Sequence, residues 1–507
     1  MNRDLVDRRR FIGLGLTAAL LSVSGQVKSG DFHVSRFGAR GTGLDETAEI
    51  QAAIDHAAFH RAALHFDGSK TYHVKSLVPR SHARLAGNGC TLRLLDGTEQ
   101  PLFFDRENGG EHFVLDGFKL DGNQRFNCAG NQSSGGVWLT GWAGVRIRNV
   151  DAWGFFRNVL NIYDSSGVVI EHARISHCGM PNAAGYFSYG ITIEPNCTDV
   201  SIRHVVIHDM HGFGVHLNQT TGWLVQDLHC ARISFEGVGI ALTLTGVRKG
   251  ALEQFVFEDV DGGTLECNSC HSISISDGRI IRSGKRAITW GDNETGERSK
   301  SILVSHVTVA ASRANASVSL NFLENVIFEK CVFDRDFEYM YVYPRLNILF
   351  RHCRFHFKTG PMNQLSADSG PIHYENCAFQ DWTSIRKDKR RQAWRLTEPL
   401  LLPAHSTVRV TLESLQLPRT YRGQVILGNY DGPDRAQTRQ FEFIRSAGGA
   451  LMRKSEAGDI ARFGLQVAPE KPEVVLSNRT SLSVQAALVF IATEYGADTL
   501  KHRSPSR

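Results

Sequence analysis

Glu194 ends the segment Tyr189-Gly-Ile-Thr-Ile-Glu-Pro-Asn, and Asp164 stands beside Tyr163 at the end of the preceding apolar segment. Asp209 leads into the next, His208-Asp-Met-His-Gly-Phe-Gly-Val-His-Leu-Asn. Carboxyl groups held roughly 5 to 9 Å apart are what hydrolysis of a glycosidic bond needs. One, kept protonated, gives its proton to the leaving oxygen; the other, ionised, activates water or attacks the anomeric carbon. Glu194, Asp164 and Asp209 are therefore the candidate acids. His216, whose imidazole can orient a carboxylate or bind a sugar hydroxyl, completes the catalytic set, and His211 lies in the turn that approaches the same segment. Each also has an ordinary structural explanation, as a solvated carboxylate, a turn residue or a surface imidazole.

Repetition is what would bring these residues together. From about residue 113 the chain recurs imperfectly, with unit starts at Val145, Val168, Val200, Leu224, Leu252, Ile273, Ile302, Val326, Ile348 and Ile372, spaced by 21 to 32 residues. Each unit opens with alternating apolar and polar residues, passes a Gly, Asn or Asp, and reaches a second alternating strand; none carries a helical period of useful length. A turn of that length holding two or three short strands predicts a parallel β-helix. Leucine-rich repeats would need a fixed Leu pattern, and propeller blades would be nearly twice as long. One strand face then fills a continuous core while the other stays exposed. The longer intervals, Asn123 to Gly135, Gly179 to Tyr189 and Asp292 to Lys300, are expected to bulge as loops that wall a cleft.

Aligning the second strand of each unit by its inward residues predicts two outward columns. The first runs Trp138, Asn161, Thr192, His216, Thr243, Glu266, Thr289, Ser319 and Tyr341, and the second Thr140, Tyr163, Glu194, Asn218, Thr245, Asn268, Gly291, Asn321 and Tyr343. Equivalent residues should lie roughly 4.8 Å apart. Such a track suits an extended sugar chain, with polar groups meeting hydroxyls and rings stacking on pyranose faces. The expected substrate contacts are Trp138, Asn161, Tyr163, Tyr189, His211, Asn218, Thr243, Glu266, Asn268 and Trp290, together with Asp121 and Asn123 of an Asp-Gly-Asn turn. Glu266, three coils or roughly 14 Å from Glu194, is too distant for a direct pair and belongs to another subsite. A solvated face would also explain the Thr and Asn members, less readily the Trp, Tyr, Glu and His ones.

The stretch Phe37-Gly-Ala-Arg-Gly-Thr-Gly-Leu-Asp-Glu-Thr-Ala-Glu-Ile-Gln-Ala-Ala-Ile-Asp is a Gly-rich turn running into an amphipathic helix, with Asp45 as cap and Ile50, Ala53 and Ile54 as apolar stripe. This phrase resembles the start of the pectate-lyase-like right-handed parallel β-helix superfamily, including its pectin-active, glucan-active and phage-tailspike branches; Thr42 and Glu46 replace two of the usual Asp residues. The resemblance spans about residues 31 to 384 and implies that the helix covers the open end of the β-helix. The fold expectation is thus all-β: a right-handed parallel β-helix with an N-terminal capping helix and, over residues 385–507, a smaller β-sandwich-like domain. The resemblance also implies a polysaccharide ligand and leaves the reaction open. Tyr189-Gly near the His211-Gly turn is faintly similar to the site region of alginate epimerases, but their Asp-Pro-His-Asp phrase is absent and Ile193-Glu-Pro-Asn stands instead.

Hydrolysis with paired carboxylates is the leading expectation. Elimination or C5-epimerisation of a uronate polymer is the alternative, with His216 or Tyr163 handling protons, Arg157, Lys285 or Arg286 meeting the acidic substrate, and a divalent cation as a cofactor in that case only. A non-catalytic carbohydrate-binding or adhesion protein is the third. Lys and Arg number 57 against 52 Asp and Glu, a net charge of +5, which gives no case for nucleic acid; the run Arg386, Lys387, Lys389, Arg390, Arg391 reads as a solvated linker. Arg8-Arg-Arg-Phe-Ile followed by a short apolar stretch within residues 1–30 resembles a cleaved twin-arginine export signal rather than a stable membrane span, predicting a periplasmic or extracellular protein. Ten cysteines in such a compartment suggest disulfides, but the recurrence of Cys331, Cys353 and Cys377 in similar strands predicts stacked buried thiols, and Cys267-Asn-Ser-Cys270 a structural pair. The oligomeric state is open, with a homo-oligomer among the options.

Overall fold

The computed structural model describes residues 31–127, 135–180, 188–235, 237–291, 297–310, 317–321, 323–337, 339–343 and 346–357, and beyond these only strands between 364 and 492. The export segment, the basic linker's side chains, the tail from Lys501 and the central parts of the three expected cleft inserts lie outside the described residues.

Alternating residues in short segments separated by turns build a parallel β-helix. Eleven strands stack in chain order, each parallel to the next, from Phe103–Asp105 through Tyr189–Ile193 and Phe213–Asn218 to Gln364–Leu365. The remaining strands of each coil join a 29-stranded sheet that wraps the other sides. Farther on, Ser406–Thr411 pairs parallel with Cys377–Gln380 and antiparallel with Glu473–Asn478, while strands between Ile385 and Ala492 form a seven-stranded antiparallel sheet.

Register along the eleven-strand sheet follows the period of two. Leu139, Ile162, Ile193, Leu217, Leu244, Cys267, Trp290 and Leu320 are partners in one inner column, every one with no exposed surface. Their outward neighbours pair coil by coil as Trp138, Asn161, Thr192, His216, Thr243, Glu266, Thr289 and Ser319, and the backbone of Tyr341 pairs next in register. In the second outward column Thr140 pairs with Tyr163, Asn218 with Thr245, and Asn268 with both Thr245 and Gly291; the backbones of Asn321 and Tyr343 are also partners in register. Trp290 is a correction. The alternation that turns Thr289 and Gly291 outward turns its indole inward, edge-on to Phe328 at 5.8 Å between centroids, so it is a core ring and meets no substrate.

At the N-terminal end the helix Thr47–Phe59 buries Ile50, Ala53, Ile54, Ala57 and Ala58 and packs on the first-coil strands Phe32–His33 and Ala63–His65. Its cap differs from expectation. The N-cap position is Glu46, which makes no side-chain cap bond; Asp45 accepts instead from the Thr47 backbone N–H at 3.0 Å. The buried Glu46 carboxylate reaches back to the Arg40 and Gly41 N–H groups and so fastens the Gly-rich turn. The corners of the coils are left-handed residues. Asp164, Gln219 and Ser269 have φ of 46°, 46° and 53° just past the stacked strands, and Gly246 at 62° shares that position.

The eight described cysteines, Cys331, Cys353, Cys267 and Cys270 among them, are buried free thiols. The hydrogen bond with the neighbouring Cys353 thiol, and burial after it, push Cys331 far above the ordinary thiol range. They are fillers of the core, not reactive groups.

Replacing Trp290 by Ala removes a ring with no exposed surface and should cost about 3–5 kcal/mol in denaturant unfolding; a loss below about 1 kcal/mol would mean that the ring is not part of the core.

Candidate functional site

The first five of the eleven stacked strands carry a cluster of rings around one carboxyl group. Trp138 and Tyr163, on adjacent coils, stack nearly parallel at 5.7 Å and 16°, and Phe104 meets Trp138 edge-on at 6.0 Å. On the other side Tyr189 stacks on Phe213 at 4.9 Å and on His216 at 5.5 Å. Glu194 directly follows the Tyr189–Ile193 strand, tied in by its N–H donating to the Ile162 carbonyl at 2.8 Å. The Asn218 amide, one coil on, donates to Glu194 Oε2 at 3.1 Å. Farther along, the Asn268 amide donates to Glu266 Oε1 at 3.2 Å, and Thr243 lies half-buried in the column between His216 and Glu266.

Burial sets the electrostatics. It raises the Glu194 carboxyl above its ordinary value, opposed by the Asn218 hydrogen bond, so that the protonated form persists to higher pH than for a free carboxyl. It pushes the His216 imidazole down to about 4, leaving the ring uncharged at neutral pH. It also raises the phenols of Tyr163 and Tyr189, and the Glu194 carboxylate raises both further. The Asn161 side chain hydrogen-bonds the Tyr163 phenol and opposes that rise. The face also holds polar atoms without partners: Trp138 Nε1, Asn161 Oδ1 and Thr192 Oγ1 are buried and make no hydrogen bond within the protein. Each such group costs about 1–3 kcal/mol unless something outside the protein pairs with it.

Several expected residues stand elsewhere. Asp209 is at a left-handed corner with φ 54°, where Arg232 donates to it at 2.8 Å and His208 Nδ1 lies 2.6 Å away. The Arg232 bonds hold its carboxyl well below the ordinary carboxylate range, so it cannot be a proton donor near neutral pH. It also precedes the Phe213–Asn218 strand, whereas Glu194 adjoins the far end of that strand, roughly 16 Å along. The expected Asp209–Glu194 pair is therefore not formed. Asp164 occupies the tight turn after Tyr163, exposed, and accepts from the Asn196 amide at 2.7 Å. Asn123 is buried and spent on structure: its amide donates to the Leu94 carbonyl and to Asp96, and its oxygen accepts from Arg93. Asp121 accepts from the Asn123 N–H at 2.8 Å and lies 3.5 Å from Arg93, which makes the Asp-Gly-Asn segment a turn rather than a substrate contact. His211 packs edge-on to Phe235 at 5.1 Å, outside the Tyr189–His216 stack, with Nε2 buried and unpartnered.

Some contributors were not foreseen. Phe104 extends the Trp138–Tyr163 stack by one coil, and the alternation of Phe103-Phe-Asp already turned it outward. Phe213 and Phe235 back Tyr189 and His211, and Phe235 is held by Asp261, whose Oδ2 accepts from the Phe235 and Gly237 N–H groups at 2.9 and 3.0 Å. Nothing in the sequence marked this last residue except the Asp-Gly-Gly turn that it opens. Among the described residues no group of three His, Cys, Asp or Glu side chains is placed to hold a metal ion, and no helix is long and apolar enough to cross a membrane.

A search of the curated proteins finds no match. Among solved structures the chain is similar to the surface adhesin PfbA of Streptococcus pneumoniae, at 16% identity and a TM-score of 0.45 over 68% of this chain and 93% of that one. It is similar to the A-module of a mannuronan C-5 epimerase from Azotobacter vinelandii, at 15% and 0.41 over 67% and 99%. It is also similar to an exopolygalacturonase from Thermotoga maritima, at 12% and 0.45 over 70% and 93%. At these values the likenesses carry no conclusion about activity. The family model of the right-handed β-helix region matches residues 107–227 and 135–298, which include every strand from Val137–Thr140 to Arg286–Gly291 of the stacked face. With the coil-by-coil parallel register, that match identifies this part of the chain as a right-handed parallel β-helix domain.

Proposed function

We propose that the protein is an exported polysaccharide-active enzyme that holds an extended sugar chain along the eleven-strand face and hydrolyses a glycosidic bond at Glu194. The observation that carries this is a single carboxyl raised by burial and flanked on its own face by stacked rings. A carboxyl whose protonated form persists to higher pH can donate to a leaving oxygen, and rings on either side can hold sugar planes. Trp138 and Tyr163 form the stacking platform on one side, Tyr189 and His216 on the other. Asn218 fixes the orientation of the Glu194 carboxyl, and Glu266 with Asn268 forms a polar subsite three coils on. Asp164, one coil back on the turn, is the second carboxylate of this reading; reaching the substrate requires it to release Asn196. Export rests on the Arg-Arg-x-Phe-Ile start of the chain.

Elimination or epimerisation is a second reading, favoured by one contact. An uncharged imidazole stacked on a tyrosine beside Glu194 is a set of groups that can pass protons to and from a sugar carbon. Products separate the three options. New reducing ends without an unsaturated, ultraviolet-absorbing product mean hydrolysis, an absorbing product means elimination, and binding with neither, in the presence of divalent cations, means a binding protein.

On a polysaccharide that the protein cleaves, Glu194→Gln should lower kcat by roughly 10²- to 10⁴-fold with the fold intact by circular dichroism; turnover within a few fold of the parent would remove Glu194 from the reaction. Trp138→Ala should weaken binding of the same polysaccharide by up to about tenfold, as loss of one stacking ring does, with kcat less affected. Removing the Asn218 amide takes away a hydrogen bond that favours the ionised carboxyl. Because activity of a proton donor is lost as pH rises through its pKa, the alkaline limb of kcat for Asn218→Ala should move to higher pH. A limb that stays put or moves down would mean that another group sets it.

A further inference from the structure

The outer column that passes through the site carries a row of polar atoms with nothing in the protein to meet them. Trp138, Asn161 and Thr192 occupy the same column on three successive coils. Trp138 Nε1, Asn161 Oδ1 and Thr192 Oγ1 are all buried and unpartnered; Asn161 is 2% exposed and Thr192 0%. Farther along the same column Thr289 Oγ1 is also buried and unpartnered, but only Trp138, Asn161 and Thr192 are unpartnered on successive coils of it. Thr192 lies between Tyr189 and Glu194 on its own stretch of chain, so the row ends beside the carboxyl that the proposed reaction uses.

The chemistry of the row is specific. The indole N–H only donates, the Asn161 oxygen only accepts, and the Thr192 hydroxyl does either. Sugar hydroxyls both give and take a hydrogen bond and can satisfy all three in turn. The carboxylate that takes the place of the C6 hydroxymethyl group in a uronate cannot. It has no proton to give the Asn161 oxygen, and it would sit next to Glu194.

We infer that Trp138, Asn161 and Thr192 form a hydroxyl-reading strip that selects a neutral, hydroxyl-bearing hexose polymer over a uronate polymer. This rests on the polysaccharide reading above and deepens it, because elimination needs a uronate and hydrolysis does not. Since Thr192 has no exposed surface, a sugar hydroxyl reaches it only as a neighbouring side chain moves, and binding to the strip is coupled to that movement. Thr192→Val keeps the shape of the side chain and removes the unpartnered oxygen.

The test is calorimetric titration of the whole protein with oligosaccharides of glucose, galactose and mannose and with glucuronate, galacturonate and mannuronate oligosaccharides of matched length, alongside thermal melts. The wild-type protein should bind a neutral member at least about tenfold more tightly than its uronate counterpart, and Thr192→Val should lose about tenfold of that affinity. Its melting temperature should hold or rise, because the hydroxyl had no partner to lose, and a merely structural threonine would show the reverse. Uronates bound as tightly as neutral sugars, or wild-type affinity in Thr192→Val, would overturn the strip while leaving a polysaccharide-binding face standing. A lowered melting temperature would also overturn it, by showing that the protein itself satisfies the oxygen. If the wild type binds no member of either class, the polysaccharide reading fails and the strip fails with it.

Discussion

Residue-for-residue register between stacked parallel strands is the constraint from which the rest of this molecule follows. Each coil must put its apolar side chains over those of the coil before, and because side chains alternate with a period of two, the opposite face is fixed by the same act. A slip of one residue at the Tyr189–Ile193 strand would carry Ile191 and Ile193, both without exposed surface, out of the core and push Thr192 in. Each of those aliphatic side chains is worth roughly 1.5–3 kcal/mol of burial. The inner columns therefore pay for the outer ones. Trp138, Tyr163, Glu194 and His216 come from four coils and meet because Leu139, Ile162, Ile193 and Leu217 do.

Desolvation then gives the face its chemical character. Glu194, His216, Tyr163 and Tyr189 are all moved toward their uncharged forms, and in each the largest cause is burial. The corners of the same coils behave in the opposite way. Asp209 with Arg232 and Asp259 with Arg282 are paired across adjacent coils at the surface, where charge is cheap to keep. The two regions differ in cost as well. A carboxyl whose pKa is raised on folding ionises first in the unfolded chain, so between the unfolded and folded values the unfolded state binds fewer protons and stability falls as pH rises. Glu194 thus works against folding at neutral pH, and Asp209 works for it above the ordinary carboxylate range. A group retained at such a cost on a face of stacked rings is a stronger pointer to chemistry than an ion pair at a corner.

How much of this is legible in the sequence follows from which rule governs each residue. The outward columns are written in the alternation, and aligning apolar residues recovers the partners of Trp138 through Ser319. The same rule places Trp290 inside; only its identity as an aromatic, taken apart from its position, suggested a sugar contact. Asp209 and Asn123 were misjudged for one reason. Both have left-handed backbone, φ 54° and 49°, a conformation that Asp and Asn tolerate better than most side chains, so their presence there reflects corner geometry. An acid beside an apolar run looks alike in the sequence whether it ends a strand facing outward or turns a corner. The helix cap shows the same limit at smaller scale, since one residue separates Asp45 from the position that Glu46 fills. Tertiary contacts such as Asp261 on the Phe235 and Gly237 N–H groups leave no local trace at all.

In the proposed sugar-binding reading, the stacked rings bear on affinity through entropy as much as through contact. A flexible loop that closes on a sugar must be ordered when it binds, and that cost is subtracted from the contacts it makes. Here Trp138 is already set between Phe104 and Tyr163, and Tyr189 against Phe213 and His216 of the next coil. Each ring has only two rotatable side-chain bonds and sits on a strand whose position the core fixes, so little freedom remains to be lost. The same rigidity explains why the unpartnered oxygens of Asn161 and Thr192 persist: the strands cannot shift to pair them without breaking the register of the inner column. The backbone thus holds those atoms at fixed spacing, and only the side chains that cover Thr192 must move before a ligand can pair with it.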